Sequence, residues 1–236
     1  MRISVIGVLT VFMILCAFAQ KAGKITNAEE ILAKTVKAVD GVKDFSAVID
    51  AEVNMDRVQI PKMHAELFFK KPDKVHFSSQ SFLLVPREGI AFNPATLQAH
   101  YLPTSAVRDT VEGKILFKLL LAAKDSQTRL RSLSLWVDPS NWTVTKMETV
   151  PYEGRTLAMD FVYELQQEKY WLPSKMVAAF SSESDKRQKE APQSTENQFD
   201  GPQRSLPRNG KVTVVYSNYK INIDLPDSIF EKKKTE

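Results

Sequence analysis

Cysteine occurs once in this chain, at Cys16, inside an apolar N-terminal stretch. Beyond that stretch there is no thiol, so disulfide staples and cysteine nucleophiles are both excluded. Histidine is nearly as scarce. His64, His76 and His100 are too far apart for a local zinc motif and read as surface or rim residues. Glycine numbers 8 in 236 residues, and no glycine-rich phosphate loop or dinucleotide fingerprint is present. Nor is there a G-x-S-x-G elbow or an H-E-x-x-H helix. Ser217-Asn218-Tyr219-Lys220 matches S-x-x-K, but on a strand positions i and i+3 face opposite sides, so Ser217 and Lys220 cannot meet. Asp160, between Met159 and Phe161, comes nearest to a carboxylate in an apolar setting, and alternation points it away from both neighbours. Charge of one sign is also missing. The net charge is +4, with bases scattered among acids, so no basic stripe suits nucleic acid. With no nucleophile–base pair, no metal set and no cofactor motif, the sequence points away from an enzyme.

The single long apolar run is at the start. Arg2 precedes Ile3 to Phe18, and Ala17-Phe18-Ala19 has the small-x-small form that places a signal-peptidase cut before Gln20. The run is about 16 residues, short of the roughly 20 that span a bilayer. Residues 1–19 therefore read as a cleaved export signal, with retention as an anchor the alternative. Cys16 follows Leu15, too large for lipoprotein processing. Such a signal predicts export from the cytoplasm. Residues 20–236 then form one domain of about 215 residues, large enough to be stable through its core alone.

The remaining pattern is mostly period two. Phe45 to Met55 alternates apolar and polar residues with a break at Val48. Ahead of it Ala28 to Val39 reads as a helix, with Ile31, Leu32, Thr35, Val36 and Val39 on one face, Thr26 or Asn27 as cap and Gly41 as stop. FFKKPDKVHF, Phe68 to Phe77, is a hairpin bent at Pro72-Asp73, with Lys70, Lys71 and Lys74 expected in solvent. Phe82 to Val85, Ile90 to Asn93 and Leu97 to Leu102 read as short strands. Asp109 to Lys124 reads as a greasy helix with capping-box spacing at Asp109 and Glu112, either plugging the sheet or covering an apolar cavity as a lid. Four strands follow (Arg129 to Val137, Trp142 to Thr149, Arg155 to Leu165 and Tyr170 to Phe180), separated by turn signals about every dozen residues. Residues 181–210 are polar and predict a long flexible insertion. Lys211 to Leu225 is the last strand. About ten antiparallel strands with two helices predict a mainly β fold, a strongly curved sheet forming an incomplete, half-open barrel closed by helices.

Alternation also names the inner face. Val53 and Met55 belong to it, with Leu67, Phe69, Val75 and Phe77 from the hairpin. Leu133, Leu135, Leu157, Met159 and Phe161 follow from the meander, then Met176 and Phe180. Leu116, Leu119 and Leu120 would come from the helix. Ordinary core is the default for such residues. Recurrent methionine and a concave sheet with only two helices to fill it favour an apolar cavity for lipid.

The order of the parts resembles the LolA/LolB-like lipoprotein carriers. The resemblance is carried by ILAKTVKAVDGVKDFSA, AELFFKKPDKVHF, SLSLWVDPSNWTVTKMETVPYEGRTLAMDFVY and NYKINIDLPDSIF, which together cover most of the chain after the signal. It implies an open barrel closed by helices, whose cavity shields the acyl chains of a lipoprotein or another lipid. It also implies a periplasmic shuttle that takes cargo from an inner-membrane release complex to an outer-membrane acceptor; the protein is expected to be a monomer. The alternative on the same fold is a periplasmic domain that senses lipid or lipoprotein or binds a partner.

Overall fold

The computed structural model describes residues 27–55, 58–79, 93–125, 128, 130–151, 156–181 and 209–231. The expected signal, the strand over Phe82 to Val85, most of that over Ile90 to Asn93, and the heart of the polar insertion lie outside them. Helix α1 spans Ala28–Ala38. Asn27 caps it by accepting hydrogen bonds from the amides of Glu29 and Glu30, and the two glutamates suit the positive end of the helix. Its buried face is Ile31, Leu32 and Thr35, and the Thr35 hydroxyl is satisfied by the Ile31 carbonyl at 2.9 Å.

Strands β1 (Asp44–Met55), β2 (Val58–Gln59), β3 (Met63–Lys70) and β4 (Lys74–Phe77) follow. In β3 burial alternates strictly, with Met63, Ala65, Leu67 and Phe69 inside. The sequence pattern of this strand is the cause: small and apolar residues at odd positions, His64 and Glu66 between them. Helix α2 is Pro94–His100. This corrects the strand expected over Leu97 to Leu102. Asn93 caps the helix and Pro94 occupies its first turn, where a missing N–H costs nothing.

Strands β5 (Tyr101–Val111) and β6 (Lys114–Ala123) replace the helix expected over Asp109 to Lys124. The turn between them is Glu112-Gly113, with φ of 50° and 79°. Two consecutive positive φ values form the type I′ geometry that matches strand twist. Asp109 is no helix cap. It accepts from the Thr110 amide at 2.8 Å and from the Trp136 indole at 2.7 Å. The lid or plug is therefore a hairpin of the sheet.

The meander completes the fold: β7 (Leu130–Val137), β8 (Val144–Pro151), β9 (Thr156–Gln166), β10 (Tyr170–Ser181) and β11 (Asn209–Ile221). All pairings are antiparallel, and the order is β4-β3-β1-β11-β10-β9-β8-β7-β6-β5, with β2 beside β1. Among the described residues the path runs from β4 to β5 without joining them, and the sheet is curved and not closed. Helix α1 packs on β5 and β6 and touches α2.

Candidate functional site: an aromatic-lined mouth beside helix α1

The residues expected to line a cavity separate into several groups. Val53, Leu67, Phe69, Leu119, Leu133, Leu135, Met159, Phe161 and Met176 are buried in one continuous core. Met55, Val75, Phe77 and Leu157 pack against it half-buried. Phe180 stands opposite Leu157 in the β9–β10 ladder. Leu116 and Leu120 belong elsewhere. A helix would have put them on one face with Leu119. In β6 the inward set is Phe117, Leu119 and Leu121, so Leu116 and Leu120 point to the convex side. Leu120 is 39 % exposed while Leu119 is 0 %. Leu116 is buried instead on the convex face, opposite Asp109, outside the continuous core.

Open space lies at one end of the sheet, where the C-terminal end of α1 meets the ends of β1, β8, β9 and β10. The cavity there is about 40 Å³, room for a few waters at most. Its floor is Phe45 and Phe69, whose rings stack at 5.2 Å, with Val42 and Val144 beside them. Of the residues expected to form a cavity, Phe69 lines this one. Trp142, Tyr163 and Trp171 form the walls. Polar atoms come from Lys71, Asn93 and Thr143.

Each wall has a local cause. The Trp142 backbone sits at φ 60°, unusual for a bulky residue. A tight turn holds it there. The Trp142 amide donates to the Asp138 carbonyl at 2.8 Å, and Thr143 donates through amide and hydroxyl to the Asn141 side chain. The indole then stacks on Phe117 at 6.0 Å, with the Lys34 ammonium of α1 over it at 4.7 Å. Trp171 follows the β9–β10 turn, where Gln167 and Glu168 both have positive φ, and it lies directly opposite Leu165. Burial pushes the Tyr163 phenol well above its ordinary range, so it stays neutral. Asn93 joins two elements. Its amide donates to the Pro72 carbonyl at 2.8 Å, and its side-chain oxygen accepts from Ala95 at 3.1 Å. Sequence alternation missed Trp142, Tyr163, Trp171 and Asn93 as a group. For Trp142 and Trp171 the available signal was an aromatic residue close behind a polar turn; Tyr163, in the middle of β9, carries no such sign.

The lysines of the β3–β4 turn are not free in solvent. Lys71 Nζ binds the Asp40 carbonyl at 2.8 Å and its carboxylate at 3.0 Å. Lys70 Nζ reaches the Leu225 carbonyl at 2.8 Å and Asp227 at 2.7 Å, and Lys74 reaches Asp227 at 3.1 Å. Hydrogen bonds from Lys70 and Lys74 hold the Asp227 carboxyl below its ordinary range. The hairpin and the Leu-Pro-Asp-Ser-Ile-Phe ending are thus one clip.

Among the described residues no group of His, Cys, Asp and Glu could hold a metal, and no helix is long and apolar enough to cross a membrane. His64 pairs with Asp50 at 2.8 Å.

No family sequence model matches the chain, and no curated protein matches it by sequence. Solved structures do match. A LolA superfamily protein from Nitrosomonas europaea is 15 % identical, with 88 % of this chain and 98 % of that one covered and a TM-score of 0.55. The chain has a LolA-like fold. A domain from Vibrio parahaemolyticus described as an outer membrane lipoprotein-sorting protein is 13 % identical, with coverage of 87 % and 97 % and a TM-score of 0.52. A DUF1329 family protein from Desulfovibrio piger is 12 % identical, with coverage of 86 % and 97 % and a TM-score of 0.54. At these identities the LolA-like likeness is one of fold. The half-open barrel expected from the meander is the architecture found.

Proposed function

We propose that this protein is a non-enzymatic periplasmic carrier that binds an acyl chain of a lipoprotein or another lipid through the mouth between α1 and the sheet. The observation that carries the reading is that mouth: an apolar opening walled by Trp142, Tyr163 and Trp171 leads to Phe45 and Phe69 at the edge of the core. Its polar groups suit holding rather than chemistry. The Lys71 ammonium is committed to Asp40, and the Asn93 side chain to Pro72 and Ala95. Each acyl CH₂ removed from water contributes about 0.8 kcal/mol, so a chain is held without a polar anchor. The LolA-like fold supports carriage by analogy, including transfer from an inner-membrane release complex to an outer-membrane acceptor.

The cavity of about 40 Å³ is smaller than an acyl chain. Entry therefore moves α1 away from the sheet. Its buried apolar anchors are Ile31 and Leu32, each worth about 1.5–3 kcal/mol of burial. Roughly four to eight methylene groups at 0.8 kcal/mol offset that loss. Affinity for a fluorescent fatty-acyl probe, measured in competition with a lipopeptide, tests the reading. Long-chain probes bind and chains below about four carbons do not. If no acyl ligand binds at any chain length, the carrier reading is wrong.

A further inference from the structure

Among the described residues, three large apolar side chains are exposed near the mouth without lying in the core. Leu165 is 46 % exposed, Trp171, directly across the β9–β10 hairpin, 36 %, and Ile223 46 %. Ile223 is tied to the same end of the molecule. Its amide donates to Asp44, beside Phe45 of the mouth floor, and its neighbour Asn222 donates to the Tyr170 hydroxyl and the Gly41 carbonyl. The tryptophans divide sharply. Trp136, on the convex face, is buried and spends its indole N–H on Asp109. The indole N–H groups of Trp142 and Trp171 have no acceptor among the described residues. Lys169 completes the arrangement, its ammonium 4.9 Å above the Tyr170 ring at the hairpin end.

We infer that this end of the molecule docks on a lipid bilayer, with Leu165, Trp171 and Ile223 entering the interface around the mouth. The inference rests on the carrier reading and adds where the carrier meets a membrane. Three observations favour a bilayer as the occupant. Tryptophan, with an apolar body and an unspent polar edge, is a side chain that settles at headgroup depth. Lysine beside them reaches anionic headgroups. The exposed apolar side chains also adjoin the opening itself, since Trp171 belongs to both. A lipid leaving the cavity there passes into hydrocarbon without crossing water.

The test uses the processed protein beginning at Gln20, so that the apolar N-terminal segment does not itself partition. Vesicles of phosphatidylethanolamine with a minority of phosphatidylglycerol are floated with the wild-type protein and with L165S/I223S; neither residue lines the cavity. The expected result is flotation of the wild type and a loss of at least about tenfold in partition for the double variant, equivalent to about 1.4 kcal/mol. Acyl-probe affinity should be unchanged. Because Cys16 is the sole cysteine and is absent from this form, Leu165→Cys and Arg131→Cys each carry one environment-sensitive fluorophore. Vesicles should shift the emission at 165 to the blue and leave 131 unchanged. Acyl binding without flotation, or equal flotation of wild type and double variant, overturns the docking surface and leaves the carrier reading standing. So does a probe at 165 already buried in a protein dimer without vesicles. Flotation lost in L165S/I223S, in a protein that binds no acyl probe, supports the surface and overturns the carrier reading.

Discussion

Asn93→Ala removes two hydrogen bonds that serve different purposes. Asn93 is 7 % exposed, and its side chain both caps α2 and ties that helix to the Pro72 carbonyl. Losing the cap costs about 1 kcal/mol. Losing the amide donor costs about 1 kcal/mol more, because the Pro72 carbonyl loses its partner in a half-buried setting. The sum is about 2 kcal/mol. For a domain of this size that lowers the melting temperature by about 4–8 °C. Two further variants separate the parts. Asn93→Ser keeps an oxygen for the Ala95 amide but cannot reach Pro72, so it should recover about half of the loss. Asn93→Asp keeps the cap and sets a carboxylate against a carbonyl, so it should be no better than alanine near neutral pH. Urea unfolding followed by circular dichroism measures all three. A loss under about 0.5 kcal/mol for Asn93→Ala would refute the assignment of Asn93 as the link between α2 and the β3–β4 turn.

Leu119→Ala should cost about 2–5 kcal/mol and Leu120→Ala less than about 1, since Leu119 alone of the two is in the core. Equal losses in urea unfolding would contradict the β6 register. The Asp227 carboxyl should titrate below its ordinary 3.8 in a carbon-detected NMR titration. Its folded-state value is depressed, so the clip to Lys70 and Lys74 contributes fully above about pH 4 and is lost as pH falls through the lowered value. K70A/K74A should move the midpoint back up, and an unmoved midpoint would remove the clip. Gly113→Ala should cost about 1 kcal/mol of stability through its φ of 79° alone, because a Cβ there meets nothing within 4 Å. A neutral or stabilising result in the same unfolding assay would argue against the turn geometry.

The strands were legible wherever polar residues broke the apolar ones into period two. Phe45 to Met55 and Met63 to Phe69 do so, and both emerge as β1 and β3 almost to the residue. Ile115 to Ala123 reads ILFKLLLAA, apolar at nearly every position, so it fits helix and strand alike. What decides it is the Glu112-Gly113 turn and the pairing with β5 and β7, neither visible in periodicity. Asn93-Pro94 carried a helix-start signal that also reads as a turn. The mouth was the least legible part. Trp142 acquires Phe117 and Lys34 only when β6 and α1 arrive beside it. Lys70 and Asp227, 157 residues apart, had the right charges but no local sign of meeting.

An open sheet leaves edges that a closed barrel would not, and β5 shows how this chain limits one of them. Among the described residues β5 pairs with β6 alone. In a two-residue hairpin the flanking pair, Val111 and Lys114, exchanges hydrogen bonds, so Thr110, Arg108 and Ala106 turn their backbone groups to the free side. The Thr110 amide is already taken by Asp109. At the other end Pro103 has no amide to offer, and the ladder is broken by a register shift between Pro103 and Ser105. Between these ends the amides of Ala106 and Arg108 remain, and the second carries a charged side chain. Two amides flanked by a proline, a bulge and a carboxylate are a poor template for a further strand. Asp109 therefore acts twice, closing the edge through Thr110 and fixing Trp136 on the convex face. Strand addition along β5 is thereby disfavoured. That leaves the mouth, where apolar side chains lie with indole N–H groups that have no acceptor among the described residues, as the surface proposed to meet an outside partner.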